Sequence, residues 1–67
     1  MITITANGTS YELPTDQPLD AFLESVGQKP KQVVIERNGQ ALTPTERREV
    51  RLADGDVLEI VRVVAGG

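Results

Sequence analysis

The chain closes on Ala65-Gly66-Gly67, directly after its longest run of strand-forming residues, Val57 to Val64. Two glycines carry no side chains, so such a tail can thread a channel too narrow for any other residue. Three extended residues reach roughly 10 Å beyond the strand that carries them. The group delivered at the tip is the α-carboxylate of Gly67, an acyl group that ATP can activate. Elsewhere the reactive inventory is short. There is no cysteine and no histidine, which removes thiol and imidazole nucleophiles, an imidazole general base and any thiolate or imidazole metal site. In a chain without thiols, the Gly67 carboxylate is the place left for a transferable group. The domain is then a handle and Gly67 the working end.

The last strand offers a second feature. Leu58 and Ile60 alternate with Glu59, Val61 and Val63. If Leu58 and Ile60 face the core, Val61 and Val63 lie on the opposite face, near the tail. Exposed apolar residues beside a working tail point to a docking patch, although single exposed valines are ordinary on sheet faces. The remaining polar groups read more plainly. Asp54-Gly55-Asp56 is turn chemistry, since two carboxylates fall far short of a calcium loop's ligand set. Glu46-Arg47-Arg48-Glu49 with Arg51 reads as a solvated face. Lys29 and Lys31 flank a proline and read as solubilising. Glu12, Glu24 and Glu36 fall on separate elements, with nothing to pair them for acid–base work. No metal site and no catalytic residue is expected.

What positions these groups must be small. The chain has 67 residues, one domain spanning 1–67 with residues 65–67 as a flexible tail. Hydrophobic residues make up 39%, charged residues 25%, and the net charge is -3. That composition is globular, not disordered. Singly scattered lysines and arginines on an acidic chain argue against nucleic-acid binding. No apolar run approaches a membrane span, and no basic region followed by an apolar stretch marks a secretory signal. A cytoplasmic protein is expected.

Ile2, Ile4 and Ala6 alternate with threonines as a half-buried strand. Asn7-Gly8 is a strong hairpin signal, and Thr9 to Leu13 returns as the second strand. Leu19, Phe22, Leu23 and Val26 form a helical apolar stripe. Asp16 or Gln17 suits its N-cap, Pro18 its first turn, and Gly27 its C′ position. Val33 to Arg37 is a third strand, closed by Asn38-Gly39 and a short return at Ala41-Leu42. Thr43 to Glu49 reads as a loop with one helical turn, and Val50 to Leu52 as a brief pairing. Val57 to Val64 is the last strand. This order predicts an α+β domain: a mixed four- to five-stranded sheet with one main helix across one face. The crossover rule puts the third strand on the parallel side of the hairpin and the last strand beside the first. That is the β-grasp, or ubiquitin-like, fold.

Three stretches together resemble the ThiS family, the sulfur carriers of thiamine biosynthesis. They are the first strand running into Asn7-Gly8, the Glu36-Arg37-Asn38-Gly39 turn, and the closing run from Asp54-Gly55-Asp56 to Gly66-Gly67. The likeness covers the whole chain, and its specificity lies in the combination. The resemblance implies a co-substrate and not an enzyme. An E1-like adenylating enzyme would activate the Gly67 carboxylate with ATP and magnesium, the carrier binding no cofactor itself. A persulfide supplied through a cysteine desulfurase would then leave a thiocarboxylate on Gly67. That sulfur would pass to thiazole synthase. By the same carry-over Gly66 and Ala65 form the slim tail, and Val61 and Val63 face the partner. Relatives of the same shape serve molybdopterin, tRNA thiolation and cysteine synthesis, or act as ubiquitin-like protein modifiers. A different class, an interaction adaptor whose diglycine is incidental, would survive deletion of Gly66 and Gly67.

Overall fold

A computed structural model describes residues 1–63. The expected tail, Ala65, Gly66 and Gly67, and its expected flexibility fall outside the described residues. Five strands form one mixed sheet: β1 (Ile2–Ala6), β2 (Thr9–Leu13), β3 (Val33–Arg37), β4 (Gln40–Ala41) and β5 (Val57–Arg62). Their order across the sheet is β2-β1-β5-β3-β4. The last strand therefore lies at the centre, parallel to β1 and antiparallel to β3. The expectation for β5 holds. The expectation for β3 is corrected: β3 does not border the hairpin, because β5 inserts between them and makes the parallel pairing itself.

Alternation explains which face is buried. Ile2, Ile4 and Ala6 of β1, Ile35 of β3 and Leu58 of β5 point to the helix side, and all are buried. Helix α1 (Leu19–Ser25) crosses that side. Its stripe residues Leu19, Phe22 and Leu23 are each 0% exposed, so the chain's one phenylalanine plugs the core. Tyr11 of β2 meets Phe22 edge to face, with ring centroids 5.1 Å apart, the arrangement the ring quadrupoles favour. Both Asn-Gly turns have positive φ at both central positions, Asn7 at 50° and Gly8 at 81°, Asn38 at 52° and Gly39 at 82°. That is the type I′ geometry that matches strand twist.

Three local expectations are revised. The N-cap of α1 is Pro18, without a side-chain cap, and not Asp16 or Gln17. The orphan N–H of Leu19 instead donates to the Val50 carbonyl at 3.1 Å, and Leu52 N–H donates to Gln17 O at 2.8 Å. Tertiary backbone pairing thus replaces the side-chain cap. The brief pairing near residues 50–52 is a single Pro18↔Arg51 bridge. The segment read as a loop with one helical turn is a six-residue second helix, α2 (Pro44–Glu49), opened by a capping box. Glu46 N–H donates to Thr43 Oγ1, and Thr43 N–H donates to Glu46 Oε1 at 2.8 Å. The T-x-x-E spacing behind it is readable in sequence. A 3₁₀ turn, Pro30–Gln32, leads into β3. Among the described residues no helix is long and apolar enough to cross a membrane.

Candidate functional site

The strand leading to the diglycine is held along its length by groups from both neighbours. On the β1 side, Thr5 N–H donates to Asp56 O at 2.9 Å and Asn7 N–H to Leu58 O at 3.0 Å. The Asn7 side-chain amide pairs with Ile60, accepting from its N–H at 2.7 Å and donating to its carbonyl at 3.0 Å. On the β3 side, Asn38 N–H donates to Val57 O at 2.8 Å, and Val57 N–H donates to Asn38 Oδ1 at 2.9 Å. Val63 N–H reaches Gln32 O at 2.8 Å. The backbone of β5 is thus anchored up to the last described residue.

The turn that feeds β5 is tied down by its two aspartates. Asp54 Oδ1 accepts from Thr3 N–H at 2.7 Å. Asp56 is 5% exposed, and every group aimed at its carboxylate is a donor. Ala53 N–H meets Oδ2 at 2.9 Å, Arg37 Nε meets the same oxygen at 3.0 Å, and Asn38 Nδ2 meets Oδ1 at 3.0 Å. Burial pushes the Asp56 carboxyl up, but the Ala53, Asn38 and Arg37 hydrogen bonds and the Arg37 charge outweigh it, holding the group below the usual carboxylate range. Both aspartates therefore act as turn anchors. Among the described residues no group of three or more His, Cys, Asp or Glu could hold a metal ion.

The register places Val61 and Val63 on the sheet face opposite α1, where they are 61% and 51% exposed. Val34 lies directly across from Val61 and is also exposed. Sequence reading missed Val34, because Val33-Val34-Ile35 is an unbroken apolar run whose phase only the pairing with β5 reveals. The three valines form one apolar patch at the end of β5 from which the chain continues to Val64 and the diglycine.

One pair farther back on this face is Glu36 opposite Glu59, both exposed. Directly opposed like charges destabilise a sheet. Glu59→Lys turns the pair into an attractive one and is expected to raise stability by roughly 0.5 kcal/mol at low salt. Urea midpoints at two salt concentrations check it; a lowered midpoint at low salt overturns it.

The helix side carries the other notable cluster. Arg47, read in sequence as part of a solvated face, is buried. Its guanidinium meets Asp20 Oδ1 at 2.9 Å and the Pro30 carbonyl at 3.1 Å, tying α2 to α1 and the 3₁₀ turn. Arg48, Glu49 and Arg51 of the same run are exposed as expected. An open cleft of about 520 Å³ beside Arg47 is also lined by Lys29, Lys31, Arg48 and Glu24.

A five-stranded mixed sheet grasping one main helix, with an anchored central strand running out toward a diglycine, defines a protein of the β-grasp, ubiquitin-like class. The chain belongs to the ThiS family, which it matches over residues 3–67. A thiazole synthase of Paramagnetospirillum magneticum (strain AMB-1) is 30% identical over 64 residues, a stretch covering 96% of this chain and 20% of that protein. The chain thus spans about a fifth of the length of the curated relative it matches. The crystal structure of the thiamine biosynthesis protein ThiS from Geobacter metallireducens superposes with a TM-score of 0.77 at 22% identity, covering 98% of this chain and 100% of that one. That likeness establishes the shared fold.

Proposed function

We propose that this protein is a sulfur carrier whose Gly67 carboxylate is converted to a thiocarboxylate for thiazole formation in thiamine biosynthesis. The observation that carries the reading is the family match, which runs through Gly66 and Gly67 to the end of the sequence. A stretch similar to this chain within a much longer thiazole synthase supports that enzyme as the acceptor of the sulfur.

The chemistry divides between carrier and partners. A carboxylate is a poor electrophile, so an E1-like adenylating enzyme would first join Gly67 to AMP from ATP, with magnesium, releasing pyrophosphate. A persulfide generated through a cysteine desulfurase attacks the acyl carbon and AMP leaves. A thiol then cleaves the resulting acyl disulfide and leaves the thiocarboxylate. The carrier has no cysteine or histidine to assist any of these steps, so it acts as a co-substrate and the electrostatic work falls to the enzyme. Val61 and Val63, with Val34 beside them, are the docking surface in this reading. Their exposure and common face support it. A cytoplasmic setting fits the need for ATP.

The test exploits the missing thiols. The protein is treated with a thiol-alkylating reagent after incubation with an E1-like adenylating enzyme of its own host, ATP, magnesium and a sulfur donor. Intact and fragment masses should show one adduct, at Gly67. No adduct under these conditions overturns the carrier reading, and an isopeptide linkage of Gly67 to another protein would favour a modifier instead.

A further inference from the structure

Strand β1 stops before β5 does, and a side chain completes the ladder. The two strands pair in parallel at Thr5↔Val57 and Ala6↔Leu58. In a parallel ladder carried onward, residue 7 would donate to the carbonyl of 58 and accept from the N–H of 60, and residue 9 would donate to the carbonyl of 60. The first bond is present in ordinary form, from Asn7 N–H to Leu58 O. The other two cannot come from the main chain, because the left-handed turn at Asn7 and Gly8 swings it back into β2. The Asn7 side chain supplies both. Its Oδ1 takes the Ile60 N–H in place of its own carbonyl, and its Nδ2 reaches the Ile60 carbonyl in place of the N–H of residue 9. An amide suits this task because it offers one acceptor and one donor side by side.

We propose that Asn7 is a positioning residue that fixes where the C-terminal segment leaves the sheet. The role rests on the carrier reading above. Past Ile60, the backbone bond to this segment named among the described residues comes from the β3 side, from Val63 N–H to Gln32 O, beside the Val61–Val34 pairing. The Asn7 amide therefore holds the edge that β1 no longer covers, between the core and the valine patch. It sets the direction in which Val61 and Val63 approach a partner and from which the acyl carbon of Gly67 is presented. Misplacing a reacting group by about 1 Å can cost two orders of magnitude in rate. Both bonds are solvent-accessible, so water can replace them and the fold should tolerate their loss. Local aim and global stability are therefore separable.

Asn7→Gly keeps the backbone free to adopt positive φ and removes the amide. Asn7→Asp keeps an acceptor for the Ile60 N–H but sets a carboxylate oxygen against the Ile60 carbonyl. Amide exchange is followed by NMR on the full chain, and Gly67 thiocarboxylate formation is timed with the adenylating enzyme at saturating ATP and sulfur donor. In Asn7→Gly the Ile60 amide should exchange about tenfold faster, with Leu58 unchanged. The kcat for the carrier should fall about tenfold with KM within about twofold. Asn7→Asp should restore protection of the Ile60 amide and recover only part of kcat. Should the glycine variant lose its fold, the aspartate variant carries the kinetic comparison. Unchanged kcat in a setting where the wild type is modified overturns the role of Asn7 alone, as does an effect confined to KM. Failure to modify the wild type overturns the carrier reading and this role with it.

Discussion

A variant lacking Gly66 and Gly67 is expected to keep its melting temperature to within about 2 °C and to form no thiocarboxylate at all. The two halves of that result have different causes. Every residue of the hydrophobic core described above lies at or before Ile60, and two glycines bring no side chain to bury. Removing two residues without side chains should leave the folding equilibrium alone. The chemistry is lost for a geometric reason. Two extended residues span roughly 7 Å, so the new carboxylate, on Ala65, stops short of where adenylation takes place. The new terminus also carries a methyl group where the carrier reading calls for a slim tail. Circular dichroism melts and the alkylation assay on the same preparation check both halves. A truncated protein that still accepts sulfur, or still supports thiamine synthesis in a host lacking its own carrier, would remove the diglycine from the mechanism and favour the adaptor reading. A large drop in melting temperature would show that the last residues contribute to the fold.

Features governed by neighbours in sequence were legible. The Ile2, Ile4, Ala6 alternation, the Leu19, Phe22, Leu23 stripe and the two Asn-Gly turns each encode a period or a turn within a few residues. The same holds for the parity of Leu58 and Val61, which places Val61 and Val63 on the face opposite α1. What escaped depended on distant partners. Arg47 reads as one charge in a polar run, and only Asp20, 27 residues away, makes it a buried tie. The Asn7 amide serves Ile60 across 53 residues, so in sequence it is visible only as a turn former. Val34 needed the β3–β5 register. The cap of α1 was misplaced because a backbone carbonyl from Val50, outside any local pattern, satisfies the helix start. The capping box of α2 is a different case: its signal is local, at Thr43 and Glu46, and was present to be read.

The second large effect concerns the turn that feeds β5. Asp56→Ala should cost about 2–4 kcal/mol, the range for removing a largely buried carboxylate that satisfies several donors. Native stability runs at about 0.05–0.15 kcal/mol per residue, or roughly 3–10 kcal/mol for a chain this long, so the variant is expected to melt roughly 10–25 °C lower. The damage is threefold. Ala53 N–H loses its acceptor, Asn38 Nδ2 loses its partner, and the Arg37 guanidinium retains only the Arg51 carbonyl at 3.3 Å. The isosteric change Asp56→Asn should be almost as harmful. All three groups that meet the carboxylate are donors, so an amide must turn its own NH2 toward one of them. The pH dependence separates charge from shape. Against the opposing push of burial, the hydrogen bonds and the Arg37 charge hold the folded-state pKa of Asp56 below the ordinary 3.8 of a free aspartate, so the stability it contributes is fully present above about pH 4 and is lost as pH falls through the lowered folded value. Urea midpoints of wild type and Asp56→Asn should therefore differ widely at pH 7 and converge as the pH falls through that lowered value. A gap that stays constant across that range would assign the effect to packing and not to the carboxylate's charge.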